Sequence, residues 1–265
     1  MRGFLVPLVS VVAAASVYIG LSAGEHAAGQ DGDAVRYVIA SKEGIRHDMS
    51  AYTQGLFFYD GLMYESTGQY GESSFREVDP ATGKVLRQEL FPEEYFGEGS
   101  CVFDGRAYIL TWYEGVCFVY DIRTFTKLAE LPYQGQGWGI TTDGHSLIMS
   151  DGSSVLSFRD PDTFVEQKRL EVRDASRPVR WLNELEYIDG KIWANVYGLE
   201  EILIIDPESG KVTGRVDCRG LLAPQYRTQA TDVMNGIAYN PEDGALYLTG
   251  KYWPEMYKVE LNELR

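Results

Sequence analysis

The sequence predicts an all-β protein, a five-bladed β-propeller whose ring is closed by an N-terminal strand. After residue 35, short β-type runs alternate with turn signals and show little helical periodicity. Five Asp-Gly hairpin dipeptides, each followed by a β-rich run, recur at intervals of 44, 39, 46 and 54 residues. Four-stranded propeller blades repeat with a period of this size. The five aspartates are Asp60, Asp104, Asp143, Asp189 and Asp243.

A second turn mark follows each Asp-Gly pair and defines the rest of the repeat. Four aspartates lie 19, 17, 17 and 17 residues after the first mark, namely Asp79, Asp121, Asp160 and Asp206. In the fifth repeat the interval of 17 residues falls on Glu260. Each unit therefore reads as strand, Asp-Gly turn, strand, loop, strand, Asp-type turn and outer strand.

The fifth repeat ends too early to supply its own outer strand. The segment AVRYVIA, residues 34–40, is rich in β-formers and would complete the ring by pairing there. Such pairing buries a sheet edge that would otherwise stay open. A six-bladed ring with one degenerate unit is the alternative.

The N-terminus has the composition of a targeting segment. Arg2 precedes an uncharged stretch over residues 4–21, and small residues follow it. This pattern is typical of a secretory signal peptide, and its length is also at the lower limit for a membrane span. We therefore predict a signal peptide or membrane anchor over residues 1–28 and a single catalytic domain over residues 29–265. Either reading predicts an exported protein, periplasmic or secreted, whose only membrane contact is a retained anchor.

Net charge and cysteine content limit the partners and the redox chemistry. The formal net charge is −15 and no run of Lys or Arg interrupts it, which disfavours binding to nucleic acid. The three cysteines permit one disulfide at most, and their spacing matches no metal-binding pattern. Cys101 and Cys117 flank a predicted hairpin and would face each other across it. The alternative is that all three, with Cys218, are ordinary buried cysteines.

Unusual sequence stretches precede each Asp-Gly turn. In a propeller, the innermost strands converge on the central axis, and the loops that enter them form a pocket. The pattern therefore predicts that each blade sends one polar or aromatic group to the same end of the fold. The stretches are YTQGL, YFGEGS, GQGWG, WLNELE and TDVMNGIAY.

Glu98 is the most unusual of these groups because glycines flank it on both sides. Glycine admits unusual dihedrals and a close approach of another group to the backbone. We expect Gly97 and Gly99 to let a substrate lie against the backbone beside a carboxylate at the pocket floor.

The other candidate side chains have ordinary structural explanations as well. Gln54 could instead be a buried amide that satisfies loop backbone. Tryptophans in such a fold are often core residues, although the glycines around Trp138 favour an exposed ring. Strand alternation is expected to put Glu184 on the face opposite Asn183 and Glu186.

Several catalytic classes find no matching motif. The only histidines are His26, His47 and His145, which form no Ser-His-Asp or zinc-binding pattern, and no EF-hand loop is present. Glycosidase chemistry needs two positioned carboxylates, and no motif fixes the separation of Glu98 from a second one. An acid with amide donors suits proton transfer at an amide.

Eight motifs carry a family resemblance, and they occur in the order HDMSAYTQGL, YESTGQYGESS, YFGEGS, GWGI, SDGSS, WLNELEYIDGKIWANVY, VMNGIAY and TGKYWP. They closely resemble the motifs of the plant and bacterial glutaminyl-peptide cyclotransferases of the papaya type, from His47 to Tyr257. The resemblance implies a five-bladed propeller that converts the N-terminal glutamine of peptides or proteins to pyroglutamate and releases ammonia. It also implies that no zinc is required. A calcium ion on the propeller axis is associated with the family, but no motif here specifies its ligands.

The resemblance assigns roles to nine residues of this sequence. Glu98 would be the proton shuttle, and Lys251 would complete the catalytic pair. The family often has W-A-N-x-W where this sequence ends in Tyr197, so one wall of the pocket differs. The substrate-binding residues would be Gln54, Tyr52, Phe96, Trp112, Trp138, Asn183 and Tyr197.

The implied reaction is an intramolecular aminolysis by the free α-amine of an N-terminal glutamine. The resemblance is to an aminoacyltransferase that needs no cofactor, and we expect a monomer. Two alternatives belong to other classes, a propeller that only binds a ligand and a lactonase-like hydrolase.

Overall fold

The structure, a computed structural model, describes residues 34–264 of the chain. In this range the fold is all-β, as predicted, with one short 3-10 helix over Pro224–Tyr226. No helix within residues 34–264 is long and apolar enough to cross a membrane. The predicted signal peptide or anchor lies outside the described residues.

Three sheets contain four strands each, in sequence order. In unit 1 the four strands follow one another as antiparallel neighbours, and units 2 and 3 repeat this arrangement. Unit 1 contains β2 (Thr53–Tyr59), β3 (Leu62–Thr67), β4 (Ser74–Val78) and β5 (Val85–Leu90). Unit 2 contains β6 (Gly97–Phe103), β7 (Arg106–Thr111), β8 (Val116–Asp121) and β9 (Lys127–Pro132). Unit 3 contains β10 (Ile140–Thr142), β11 (Leu147–Met149), β12 (Val155–Arg159) and β13 (Glu166–Glu171).

The remaining long strands form an eight-stranded sheet with two halves, and two-residue strands β14 (Arg173–Asp174) and β15 (Arg177–Pro178) precede it. Unit 4 contains β16 (Leu182–Ile188), β17 (Lys191–Val196), β18 (Glu201–Ile205) and β19 (Val212–Asp217). Unit 5 contains β20 (Met234–Asn240), β21 (Ala245–Gly250), β22 (Glu255–Leu264) and the first strand of the fold, β1 (Val35–Arg46). The strand β1 pairs antiparallel with β22 and parallel with β19, so it joins the two halves.

The first strand of each unit contacts the first strands of its neighbours. The strand β2 contacts β6 and β20, β10 contacts β6 and β16, and β16 contacts β20. Five apolar clusters fill the spaces between consecutive units, and one of them joins unit 5 to unit 1 through Ala238, Tyr247, Leu56 and Met63. The blade-like sheets therefore surround a common line of inner strands.

The Asp-Gly pairs lie where the sequence pattern predicts them, at the hairpin between the first two strands of every unit. Asp60 and Gly61 have φ values of 52° and 75°, and the pairs at 104 and 189 are similar. Both residues of a type I′ turn need positive φ, which Asp tolerates and Gly adopts without steric cost. At 143 and 243 only the glycine has a positive φ.

The second mark is also confirmed in the first four units but not in the fifth. Asp79, Asp160 and Asp206 lie between the third and fourth strands, and Asp121 is the last residue of the third strand of unit 2. The carboxylates of all four accept backbone N–H groups of the turn. Glu260 lies inside β22 and makes no turn. The long pairing of β22 with β1 keeps the chain extended there, and Glu260 accepts a hydrogen bond from the Ser41 hydroxyl at 2.8 Å.

All three cysteines are free and buried. Cys101 and Cys117 lie on β6 and β8, which are separated by β7. The suggested Cys101–Cys117 disulfide is therefore not formed, and the three residues are ordinary buried cysteines. Burial raises the pKa of the Cys101 thiol well above its usual value, so it stays protonated.

A buried ionic network ties the start of unit 1 to the end of unit 5. His47 contacts the Trp253 carbonyl oxygen through Nδ1 at 2.8 Å and Glu65 Oε1 through Nε2 at 2.9 Å. Arg76 Nη1 lies 3.8 Å from the other oxygen of Glu65. Burial alone would lower the pKa of His47, but the charge and hydrogen bond of Glu65 raise it. Burial alone would raise the pKa of Glu65, but the charges of His47 and Arg76 lower it.

We predict that Glu65→Gln destabilises the fold by about 3–5 kcal/mol, because it leaves buried His47 without its ion-pair partner, while Arg76 keeps Asp48 at 2.8 Å. The free energy of unfolding from urea denaturation at pH 7 measures the effect. Glu130→Gln is the control, since Glu130 pairs with Lys127 at the surface and should cost about 1 kcal/mol or less. Equal losses in the two variants would contradict the prediction.

Candidate active site

The structure places the nine predicted site residues at one end of the sheets. They lie at or just before the start of an inner strand, or just after the second strand of a unit. In an antiparallel hairpin these two positions are at the same end. The first group is Tyr52, Gln54, Phe96, Glu98, Trp138 and Asn183, and the second is Trp112, Tyr197 and Lys251.

Glycines flank Glu98 because neighbouring strands, rather than a substrate, approach the backbone there. A Cβ at Gly97 would lie 2.6 Å from the Thr67 carbonyl oxygen of unit 1. A Cβ at Gly99 would lie 2.6 Å from the Trp138 carbonyl oxygen of unit 3, which accepts the Gly99 N–H at 2.7 Å. Protein neighbours therefore account for both glycines, and contact of a substrate with this backbone stays a prediction. The two glycines allow the Glu98 segment to pack closely between units 1 and 3.

The Glu98 side chain is buried without a hydrogen-bond partner. It is 4% exposed, and within residues 34–264 its carboxylate accepts no hydrogen bond. Its backbone carbonyl, in contrast, is held by the Ser66 hydroxyl at 2.6 Å. Burial raises the pKa of Glu98 well above its ordinary value of 4.5, the positive charge of Lys251 opposes this shift, and Glu114 adds to it. A carboxylate with a raised pKa is a stronger base than an ordinary one, which is a property expected of a proton-transfer group.

Lys251 is the positive partner of Glu98 and is enclosed by aromatic rings. It is 3% exposed, and its Nζ lies 4.4 Å from the Tyr52 ring centroid and 5.4 Å from that of Tyr197. Burial lowers the pKa of Lys251, while Glu98 and Asp232 act to raise it. Among the described residues, Lys251 has no carboxylate within ion-pair distance. Its charge is therefore balanced through space and by π faces, which leaves its N–H groups available.

Aromatic side chains form the walls around this pair. The Phe96 ring lies 6.0 Å from Tyr52 and 5.4 Å from Trp112, centroid to centroid. Trp138 packs edge-to-face on Tyr197 at 5.7 Å. Gly152 provides the space for Trp138, because a Cβ there would lie 2.8 Å from its indole. Phe96 is buried, whereas the other four rings are partly exposed, as expected for the walls of an open pocket.

The two predicted amides differ in their surroundings. Gln54 is 2% exposed, and its amide oxygen accepts a hydrogen bond from Asn235 Nδ2 at 3.3 Å. Asn235 also donates to the Thr53 carbonyl, so Gln54 is held by a second buried amide. Asn183 is equally buried, and within residues 34–264 its side chain makes no hydrogen bond. Gln54 lies at the start of β2, next to the Glu98 strand, whereas Asn183 lies at the start of β16 against Gly139 of unit 3.

Glu184 and Glu186 share a face of β16, so the expectation that Glu184 lies opposite Glu186 is wrong. Glu184 accepts the Leu56 and Ile237 N–H groups at 3.3 and 2.9 Å, and Glu186 accepts the Tyr239 N–H at 3.1 Å. Residues two apart on a strand lie on the same side, and a bulge between Leu182 and Leu185 offsets the earlier part of β16. Within residues 34–264, the hydrogen bonds of these carboxyls join inner strands and do not involve the aromatic walls.

Three site residues were not singled out by the sequence pattern, although two lie inside the stretches it marked. Gln136, in GQGWG, accepts hydrogen bonds from the indoles of Trp112 and Trp138. Asp232, in TDVMNGIAY, lies 3.5 Å from the Tyr52 hydroxyl. Glu114 accepts a hydrogen bond from the Tyr70 hydroxyl at 2.8 Å. A polar residue within a glycine-rich or strand-entry motif was the available signal for the first two.

The described residues do not form an acidic metal cage. No group of three or more His, Cys, Asp or Glu side chains in residues 34–264 is arranged to hold a metal ion. Glu184 and Glu186, on the inner strands, already accept backbone N–H groups. A calcium site on the axis therefore stays a prediction, and no step below passes through a metal.

The fold and the site together define an all-β protein with a buried carboxyl and a buried lysine among aromatic rings. The sequence profile of the glutamine cyclotransferase family matches residues 11–261. The chain belongs to this family, which confirms the resemblance seen in the motifs.

Two relatives support the assignment. A glutaminyl-peptide cyclotransferase of Arabidopsis thaliana is 40% identical over 223 residues, which are 82% of this chain and 69% of that protein. The crystal structure of Myxococcus xanthus glutaminyl cyclase has a TM-score of 0.80 and 33% identity, and the match covers 88% of this chain and 100% of that one.

We predict that Glu186→Gln stabilises the protein at alkaline pH but not at acidic pH. Burial raises the pKa of Glu186 to about 8, so the folded state keeps a proton that the unfolded state loses near the ordinary value of 4.5. The wild type therefore loses stability as pH rises between these two values, and the neutral amide does not. Glutamine also keeps an oxygen for the Tyr239 N–H.

The difference in free energy of unfolding between Glu186→Gln and the wild type should grow from pH 5 to pH 9. Glu130→Gln provides the surface control, whose difference should stay constant. A difference for Glu186→Gln that does not change with pH would show that this carboxyl is ionised throughout.

Proposed function

We propose that the protein is a glutaminyl-peptide cyclotransferase that converts an N-terminal glutamine to pyroglutamate and releases ammonia. The observation that carries the proposal is the Glu98 carboxyl, which is buried and makes no hydrogen bond within the described residues. The positive charge of Lys251 acts on its pKa. The family and both relatives named above support it. Neither a binding module nor a lactonase-like hydrolase has comparable support.

The reaction needs a neutral amine and a good leaving group. The α-amine of the substrate, with an ordinary pKa near 8, attacks its own side-chain amide carbon and closes a five-membered lactam. Glu98, as carboxylate, accepts the proton from the attacking amine and delivers it to the departing nitrogen, which leaves as ammonia. Its raised pKa brings the carboxyl closer to the pKa of the amine, which favours transfer in both directions.

The carbonyl oxygen gains negative charge in the tetrahedral intermediate and needs donors. Lys251 is the strongest candidate because its N–H groups have no carboxylate partner among residues 34–264. The other candidates are the side-chain amides of Gln54 and Asn183, which lie at the starts of the inner strands β2 and β16. One such donor contributes about 3 kcal/mol to transition-state stabilisation in enzymes of other families.

The aromatic walls would hold the substrate and exclude water. Tyr52, Phe96, Trp112, Trp138 and Tyr197 surround the pair with flat apolar faces. They would fold the short glutamine side chain so that the amine reaches the amide carbon. Water, which competes for the same carbon, is kept out by the same surface.

We infer that the five units are the blades of a five-bladed β-propeller and that β1 closes the ring. The inner strands contact one another in a closed cycle, and five clusters separate consecutive units. The pairing of β1 with β22 gives unit 5 a fourth strand from the opposite end of the chain. A crystal structure with a sixth sheet in the cycle would overturn this arrangement.

We also propose that the protein is an exported monomer without a required cofactor, periplasmic or secreted, with residues 1–28 as signal peptide or anchor. The composition of that segment supports export. Mass spectrometry of the protein in each subcellular fraction of its native cell would give the mature N-terminus and the compartment that contains the protein. Full-length protein in the soluble cytoplasmic fraction would contradict the proposal.

We predict that Glu98→Gln lowers kcat by about 10² or more while KM changes little. The amide keeps the size of the side chain but cannot accept the proton, and the walls and Lys251 remain. Ammonia release from a dipeptide with N-terminal glutamine measures turnover, and thermal unfolding measures stability in the same preparation.

Glu186→Gln is the matched control, since it alters a second buried carboxyl outside the pocket and should keep wild-type turnover. The wild-type kcat/KM should fall as pH decreases through a pKa above 4.5, because a protonated Glu98 is no base, and this limb should be absent from the Glu98→Gln profile. A Glu98→Gln variant that melts far lower while its folded fraction still turns over would assign Glu98 a structural role instead.

A further inference from the structure

The five aromatic walls and Lys251 form a nearly continuous circuit of contacts beside Glu98. From Lys251 it runs over the Tyr52 ring, then to Phe96 and Trp112. In the other direction it runs from Lys251 over Tyr197 to Trp138. Among the described residues, direct ring contacts do not join Trp112 to Trp138. These two indoles come from units 2 and 3, so the circuit is interrupted between units.

A single side chain fills this interruption. The Gln136 amide oxygen accepts the Trp112 indole N–H at 2.9 Å and the Trp138 indole N–H at 3.0 Å. A carbonyl oxygen has two lone pairs, and both are used here. The alternative orientation of the amide would turn its NH₂ group toward two N–H donors, so the two indoles fix which way Gln136 faces.

The backbone around Gln136 is anchored on both sides. The Gly137 N–H donates to the Trp112 carbonyl at 3.0 Å, and the Trp138 N–H donates to the Ser150 carbonyl at 3.1 Å. A Cβ at Gly137 would lie 2.8 Å from the Thr111 carbonyl, so this segment lies directly on unit 2. The backbone at Gln136 is therefore held in place independently of its side-chain contacts.

We propose that Gln136 is a positioning residue that fixes the orientation of both tryptophan walls and so sets the width of the substrate pocket. The inference rests on the function proposed above. Both indoles are partly exposed, and without Gln136 their N–H groups would turn to water in the pocket mouth. Each ring would then be free to rotate about its side-chain bonds, and the glutamine side chain of the substrate would lose its fixed attack geometry.

Two substitutions of similar length separate the acceptor from the side-chain volume. Gln136→Met removes the shared acceptor and should lower kcat/KM for a Gln-initiated dipeptide by about 10- to 100-fold. It should also change the near-UV circular dichroism of the tryptophans, with a wild-type melting temperature. Gln136→Glu keeps an oxygen at the same distance along the side chain, so it should restore the wild-type near-UV signal. Its activity is not the readout, because the added charge acts on Glu98.

A double-mutant cycle with Trp112→Phe tests whether the effect passes through the indoles. Phenylalanine keeps a ring but has no N–H, so Gln136→Met should cost clearly less kcat/KM in this background than in the wild type. A Gln136→Met variant with a wild-type near-UV signal and kcat/KM within twofold of wild type would overturn the proposal. Equal losses in both backgrounds would do the same. A wild type that releases no ammonia would instead refute the proposed function, while the near-UV comparison would still decide whether Gln136 orders the indoles.

Discussion

The backbones of neighbouring inner strands approach more closely than side chains would allow, and the rest of the structure depends on this approach. Gly55 of β2 lies against Ser100 of β6, and Gly99 lies against the strand entry at Trp138. Gly139 lies against the Asn183 backbone of unit 4. A Cβ at any of these glycines would overlap a backbone atom of the next unit. At three of the five contacts between inner strands, a glycine therefore permits this close backbone approach.

The other two junctions are closed by buried polar side chains. Glu184 accepts N–H groups from β2 and β20, Asn195 accepts the Gly236 N–H at 3.0 Å, and Asn235 donates to the Thr53 carbonyl at 3.0 Å. These bonds satisfy inner-strand backbone groups that water cannot reach. The same close packing surrounds Glu98 and Lys251 and removes water from both. The shifted pKa values of the site are thus a consequence of how the units are joined.

Local chemistry explains which features could be predicted from the sequence. Asp-Gly turns and Asp-type turns depend on two to five consecutive residues, so Asp60 and Asp79 marked their positions correctly. The turn pattern predicted that the stretches before the Asp-Gly turns meet at one end, and the resemblance of the motifs to the family assigned the individual site residues. Glu260 failed because its conformation depends on pairing with β1, more than two hundred residues away in the chain. The role of Gln136 was not predictable for a related reason, since it requires the spatial meeting of indoles from two units.

The enclosure of Glu98 also accounts for the separation of the carboxyl from Lys251. A direct ion pair would stabilise the carboxylate and lower its pKa, which would make it a poor base. Placing Lys251 against the Tyr52 and Tyr197 rings keeps its charge near the site without that contact. Glu98 then retains a raised pKa, and the lysine N–H groups stay free for a substrate oxygen. The proposed proton transfer from an amine and charge stabilisation at a carbonyl require two groups that are close but not ion-paired, and the contacts of Lys251 with the Tyr52 and Tyr197 rings favour that separation.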